Sequence, residues 1–264
     1  MLAVSTSVRA GAGTGGARPP PRLYAEGFSP WCERARWALD HHALRYREVE
    51  QVPLVAELTL RVALRRPARR VTMPLFVDDG IALMGSDDIA RYADRLGQGS
   101  PLFPSAHEAG ISRWMQRSET LMTSGRALLL PRLGDSPEAL REQLPRFVPA
   151  ALRGPLRWMG SLGVRHLVEK YGTRGSPEAL HEENCRATLD EARTGLGHGR
   201  RYLVGEDFSY ADLTMGAALQ FVLPVAETYI SLGTATRDAW TATRLAEDYA
   251  DLLAWRDALY AAHR

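Results

Sequence analysis

Cysteine is scarce in this chain: Cys32 and Cys185 are the only two in 264 residues. Two cysteines so far apart cannot build the disulfide framework of a small secreted domain, and a reducing, cytoplasmic setting is expected. Lysine is scarcer still. Lys170 is the only one, so arginine supplies nearly all the positive charge, a bias that reads as genomic base composition. The formal net charge is +2. No Lys/Arg block is interleaved with aromatics, which leaves a nucleic-acid role without support. No stretch approaches the roughly 18–20 uninterrupted apolar residues of a membrane span. His41, His42, His181 and His198 show no ligand spacing with either cysteine, so no metal site is expected.

What remains is an ordinary globular composition, 45% hydrophobic and 24% charged, with length for one large domain or two smaller ones. Residues 1–21 are rich in Gly, Ala and Pro and lack any acid. They read as a disordered tail or an early start codon. An organelle transit peptide is the second reading, because such segments are Arg- and Ser-rich and poor in acids.

Arg22-Leu23-Tyr24-Ala25 reads as a short strand, followed by a helix over 30–42 with Ala35, Ala38, Leu39 and His42 on one face. A second strand is expected over 46–50 and a helix over 54–65, which Pro67 ends. Two apolar runs, 73–77 and 81–84, flank Asp78-Asp79-Gly80 and predict a hairpin. Ser86 then caps a helix to about Leu96. The order is βαβαββα. Gly, Pro and Ser crowd residues 97–106, the expected domain boundary. The domains are therefore drawn as 22–97 and 107–264, with 98–106 as linker.

The second half is helical in pattern. Trp114, Leu121 and Met122 lie along a first long helix. Pro131, Pro137, Pro145, Pro149, Pro155 and Pro177 predict short, broken helices over 131–180. The runs 179–196, 210–230 and 237–262 read as continuous. Trp158, Tyr202 and Phe221 are assigned to the helical core. Ser209 and Asp212 read as a variant capping box, with Phe208 and Leu213 as its hydrophobic staple, so Asp212 is assigned a structural role.

The most informative stretch is Ser29-Pro30-Trp31-Cys32. Ser is a favoured N-cap and Pro suits the first helical position, so the turn is well specified. A helix N-terminus stabilises an anion. Here it carries a hydroxyl and, three residues on, a thiol, which suits chemistry on a thiolate.

Taken with Met73-Pro74, Gly85-Ser86-Asp87 and Phe208-Ser209-Tyr210-Ala211-Asp212, this stretch resembles the glutathione transferase superfamily from about residue 22 onward. The resemblance implies an α/β plus all-α protein, a thioredoxin-like N-terminal domain followed by a helical C-terminal domain. It implies glutathione as co-substrate, a small electrophile as second substrate, a role in detoxification and a homodimer.

By position it assigns the sulfur-binding hydroxyl to Ser29 and places Trp31 in the same wall. Met73 would pair its backbone with the cysteinyl part, exposed by a cis bond at Pro74. Ser86, with Asp87 in the same helix start, would take the γ-glutamyl end. One of Arg65, Arg66, Arg69 and Arg70 could meet the glycyl carboxylate, or all four could form a solvated surface. The family usually places Glu or Gln before this Ser, and the chain has Gly85. Two alternatives keep the fold: a thiol reductase acting through Cys32, and a non-catalytic binding or interaction protein.

Overall fold

The computed structural model describes residues 20–51, 60, 71–144, 149, 152, 154–171 and 177–264. The expectations for residues 1–19, for most of the helix over 54–65, and for Arg65, Arg66, Arg69 and Arg70 lie outside the described residues. The chain forms two compact units, Met1–Ser100 and Pro101–Arg264.

The first unit is built on four strands, β1 (Arg22–Ala25), β2 (Arg47–Glu50), β3 (Leu75–Asp78) and β4 (Ile81–Met84). Their order across the sheet is β2-β1-β3-β4. β1 and β2 are parallel, with α1 (Pro30–His41) as the crossover between them. The β1–β3 and β3–β4 pairs are antiparallel. The β3–β4 hairpin closes through Asp79 and Gly80, both at positive φ (42° and 80°). That is the two-residue turn whose twist matches the flanking strands, and Asp-Gly is its preferred sequence. α2 (Ser86–Leu96) follows β4 directly.

Side chains alternate across a strand, so the sheet has two different faces. Leu23, Ala25 and Phe76 join Cys32, Ala35 and Leu39 of α1 and Ile89, Tyr92 and Ala93 of α2 in one buried cluster. The intervening residues Tyr24, Leu75 and Val77 pack with Leu60 and Val71 in another. Two polar ties fix the helices to the sheet. Arg36 grips Glu48 of β2 through Nε (2.9 Å) and Nη2 (2.7 Å), and the Tyr92 hydroxyl donates to Asp78 at 2.7 Å.

The second unit is helical among its described residues. Its elements are α3 (Glu108–Asp135), α4 (Pro137–Glu142), α5 (Arg157–Tyr171), α6 (Glu178–Gly195), α7 (Tyr210–Ala218), α8 (Thr234–Trp240), α9 (Thr243–Asp248) and α10 (Ala250–His263). α7 is buried along its whole length and packs against α3. Asp212 accepts the backbone N–H of Ser209 (2.9 Å), its hydroxyl (3.0 Å) and the N–H of Leu203 (2.7 Å). The capping box is present and Asp212 is structural.

Four expectations are corrected here. Pro131 does not break its helix: α3 runs on to Asp135, and its last turn is anchored by Arg132, which donates to Leu128 O and Thr241 O. The run over 210–230 is not one helix. α7 stops at Ala218, and Pro224 lies just ahead, disfavouring helical backbone before it. Gln220 Oε1 there takes the Val225 N–H (2.9 Å), while Arg256 donates to the Leu219 and Leu223 carbonyls.

The run over 237–262 is divided among α8, α9 and α10, because extended backbone at Thr241 and a turn at Tyr249 interrupt it. Trp158, assigned to the core, is 55% exposed near the start of α5, whereas Tyr202 and Phe221 are buried.

Candidate functional site

Register alone brings three chain segments to one end of the sheet. Tyr24 of β1 pairs with Leu75, so the end of β1 lies beside the beginning of β3. Leu75 also pairs with Met84, so the end of β4 lies there too. The loop 26–29 that starts α1, the Met73-Pro74 step and the Gly85-Ser86 start of α2 therefore meet at the same edge. Pro74 O accepts the Gly85 N–H at 3.0 Å and links two of them directly.

Ser29 is the N-cap of α1, with extended backbone (φ −75°, ψ 122°) and Pro30 next to it. An N-cap serine ordinarily accepts a backbone N–H of the first turn. This one makes no such bond. It is buried, at 8% exposed, with Cys32 three residues further along α1.

Cys32 lies in the core beneath α1, fully buried. Its Sγ accepts the Glu26 N–H at 3.3 Å. Burial, and then the nearby Glu26 charge, push the thiol up to about 12, against weaker opposing pulls from Arg36, the Glu26 N–H and Ser29. Cys32 thus keeps its proton at neutral pH and presents no thiolate. Trp31 is half-buried on the first turn.

The Met73–Pro74 bond is cis. Among the described residues nothing engages the Met73 backbone N–H or carbonyl. Ser86 is not the cap of α2 but its first residue, buried, with its hydroxyl donating to Asp87 Oδ1 at 3.3 Å. The cap is Gly85, at φ 95° and ψ 143°, a backbone state that essentially only glycine adopts. A Cβ there would meet no atom within 4 Å. Asp87 and Asp88 stand in the first turn of α2, where negative charge complements the helix dipole. Asp87 is half-buried and Asp88 exposed.

The sequence reading missed Arg36. Its Nη2 donates to Glu26 O at 2.9 Å while the same guanidinium holds Glu48, so it braces the loop that presents Ser29. The signal was an arginine two turns after Ser29, spaced i, i+3 from Glu33 and i, i+4 from Cys32 on the same side of α1.

The sequence matches the glutathione S-transferase N-terminal domain over residues 23–101 and the glutathione S-transferase C-terminal domain over residues 137–258. No curated protein matches it significantly. Solved structures of like architecture include glutathione transferase GSTFuA2 from Phanerochaete chrysosporium, with a TM-score of 0.63 and 17% identity over 93% of this chain and 99% of that one. A glutathione S-transferase of Ceriporiopsis subvermispora in complex with glutathione gives 0.57 and 16% over 93% and 95%. One from Methylobacillus flagellatus KT with glutathione bound gives 0.53 and 15% over 90% and 93%. At these identities the likeness speaks for the fold. With both family domains matched in order, the chain belongs to the glutathione S-transferase superfamily.

Proposed function

We propose that the chain is a glutathione transferase in which Ser29 activates the thiol of bound glutathione for attack on a small electrophile. The observation that carries this reading is the state of the Ser29 side chain. It stands at a helix N-terminus, is not spent on capping, and lies at the sheet end shared with Met73-Pro74 and the start of α2.

A free thiol of pKa about 8.5 is only a few per cent thiolate at neutral pH. Each unit of lowering needs about 1.4 kcal/mol of preferential thiolate stabilisation. A hydroxyl donor together with the positive end of α1 is of the right size for one or two units. The thiol proton leaves to solvent. The thiolate sulfur then bonds the electrophilic carbon as the leaving group departs or the acceptor double bond takes the electron pair.

Among the described residues the backbone N–H and carbonyl of Met73 are unengaged and suit the cysteinyl part, and the α2 N-terminus at Ser86 suits a carboxylate. Trp31 would wall the thiol site, and Asp87 would stand beside the carboxylate subsite. We further propose a cytoplasmic homodimer with a detoxifying role, testable by sedimentation of the purified protein.

Calorimetry of glutathione binding, followed by conjugation of a generic aryl halide by wild type and Ser29→Ala, tests the reading. Binding with loss of turnover in Ser29→Ala supports it, and unchanged turnover overturns it.

One observation favours a second reading. Gly85 offers no side chain where the family usually has Glu or Gln, as expected of a non-catalytic module with the same fold. Failure of the wild-type protein to be retained on immobilised glutathione would favour it. The reductase reading is weakened by the burial of Cys32.

A further inference from the structure

α5 packs on one side against α3 and α4, and Gly160 fixes its rotation about its own axis. A Cβ at Gly160 would fall 2.3 Å from Leu140 O, so glycine alone permits this approach. Val164, one turn further on, is buried beside Gly134 on the same face. Residues advance about 100° each around a helix, which puts Trp158, Leu162, Arg165 and Glu169 on the opposite face. All four are exposed, Trp158 at 55% and Leu162 at 44%. Leu152, whose carbonyl takes the Leu156 N–H at 3.0 Å just ahead of α5, is also exposed, at 49%.

The charge on this element is one-sided. Arg157, Arg165 and Lys170 stand against Glu169 alone, a net +2 that equals the formal charge of the whole chain, and His166 is exposed beside them. Across 146–174 the sequence has six basic residues and that single acid. The remainder of the chain is therefore net negative, and positive charge is concentrated here. Glu169 lies two turns beyond Leu162, away from the apolar pair.

We propose that α5 is a membrane-surface helix, in which Trp158 and Leu162 enter the headgroup region of an anionic lipid bilayer while Arg165 and Lys170 meet its phosphates. Interfacial helices have this make-up: Trp and Leu on the inserted face, Lys and Arg around it, and low overall hydrophobicity. α5 lies on the bilayer and does not cross it. At 15 residues it is shorter than the roughly 20 that a span requires, and among the described residues no helix is long and apolar enough to cross a membrane. A protein partner fits less well. A stable protein interface buries about 800 Å² on each side, of which two or three apolar side chains supply little. A bilayer sets no such minimum, and its uniform negative charge matches a helix with one acid. Such binding is independent of the chemistry at Ser29.

The test is co-sedimentation of the full chain with vesicles of phosphatidylcholine alone and of phosphatidylcholine mixed with phosphatidylglycerol, at low and at physiological salt. The wild type is expected to bind the anionic vesicles at least about tenfold more tightly, and less so as salt rises. Trp158→Ser and Leu162→Ser should each weaken that binding about three- to tenfold, and Arg165→Gln about fivefold. Tryptophan emission should shift to the blue on anionic vesicles in the wild type and shift less in Trp158→Phe.

Binding to neither vesicle overturns the proposal, as does equal binding to both. Anionic binding that ignores both Trp158→Ser and Leu162→Ser, or a blue shift undiminished in Trp158→Phe, places the contact elsewhere on the chain and overturns it too. So does capture of soluble polyglutamate in preference to the vesicles, the mark of an acidic protein partner. Should Trp158→Ser fail to fold, Leu162→Ser and Trp158→Phe decide the question.

Discussion

Asp212 holds Ser209 twice, accepting its backbone N–H at 2.9 Å and its hydroxyl at 3.0 Å, while the other carboxylate oxygen takes the Leu203 N–H at 2.7 Å. Both residues are buried at the start of α7, itself buried throughout. One side chain therefore closes the N-terminus of the central helix of the second unit and ties it to the segment before it.

Replacing this acceptor leaves buried donors unpaired, which is the expensive way to lose a hydrogen bond. Asp212→Asn puts an NH2 group against N–H donors and is expected to cost about 2 kcal/mol at mildly acidic pH. Ser209→Ala keeps its backbone bond and should cost about 1 kcal/mol. Because the pair shares bonds, the double mutant should lose less than the two singles combined. Urea unfolding of the three variants measures this.

Stability should also depend on pH through Asp212. Burial raises its carboxyl to about 6, against the lowering effect of the Leu203 and Ser209 donors. The folded state thus binds this proton more tightly than the unfolded chain, whose carboxyl titrates near 3.9. The contribution is full below about pH 4 and is lost as pH rises through about 6. The stability advantage of wild type over Asp212→Asn should therefore shrink by about 2 kcal/mol between pH 4 and pH 7. An advantage that grew over that range would mean the hydrogen bonds outweigh desolvation.

The elements legible in the sequence were those with local signatures. The Asp79-Gly80 turn, the Ser29-Pro30 helix start and the Ser209/Asp212 box each follow from residues a few positions apart, and each is present. The helical breaks after Ala218 and at Thr241 were not legible, because distant groups decide them. Arg256 takes carbonyls 33 and 37 residues away, and the Ala242 N–H bonds Val222 O. Pro131 was misread for a related reason, since the last turn of α3 is held from outside by Thr241 O.

At the candidate site the residues were visible as motifs, whereas their meeting at one sheet end follows from register. That Ser29 leaves the first-turn N–H groups uncapped needed coordinates. A sequence shows an N-cap serine but not which partner its hydroxyl takes.

Gly85→Ala separates backbone strain from packing. A Cβ would meet nothing within 4 Å, so sterics with neighbours cost nothing. The backbone at φ 95° and ψ 143° is nevertheless a state that side-chain-bearing residues rarely tolerate, at about 1–3 kcal/mol. The expected outcome is a loss of about 2 kcal/mol in urea unfolding. A neutral substitution would show that the start of α2 relaxes freely and that glycine is not required by the chain path.

Arg36 and Glu48 should respond very unequally to mutation. The Arg36 side chain is only 8% exposed, whereas that of Glu48 is 35% exposed, so water screens the pair from the Glu48 side. Glu48→Gln keeps an acceptor and should cost no more than about 0.5–1 kcal/mol. Arg36→Met removes the donor to Glu26 O and the partner 3.5 Å from the fully buried Glu33. It should cost about 3 kcal/mol or more, because a buried guanidinium that bonds Glu26 O, Glu48 and Glu33 together is removed and leaves buried acceptors short of a donor. It should also weaken glutathione binding, since the Glu26 carbonyl that it holds belongs to the loop presenting Ser29. Urea unfolding and calorimetry of both variants provide the check. Equal losses in the two variants would locate the stabilisation in the ion pair and not in the bracing of the loop.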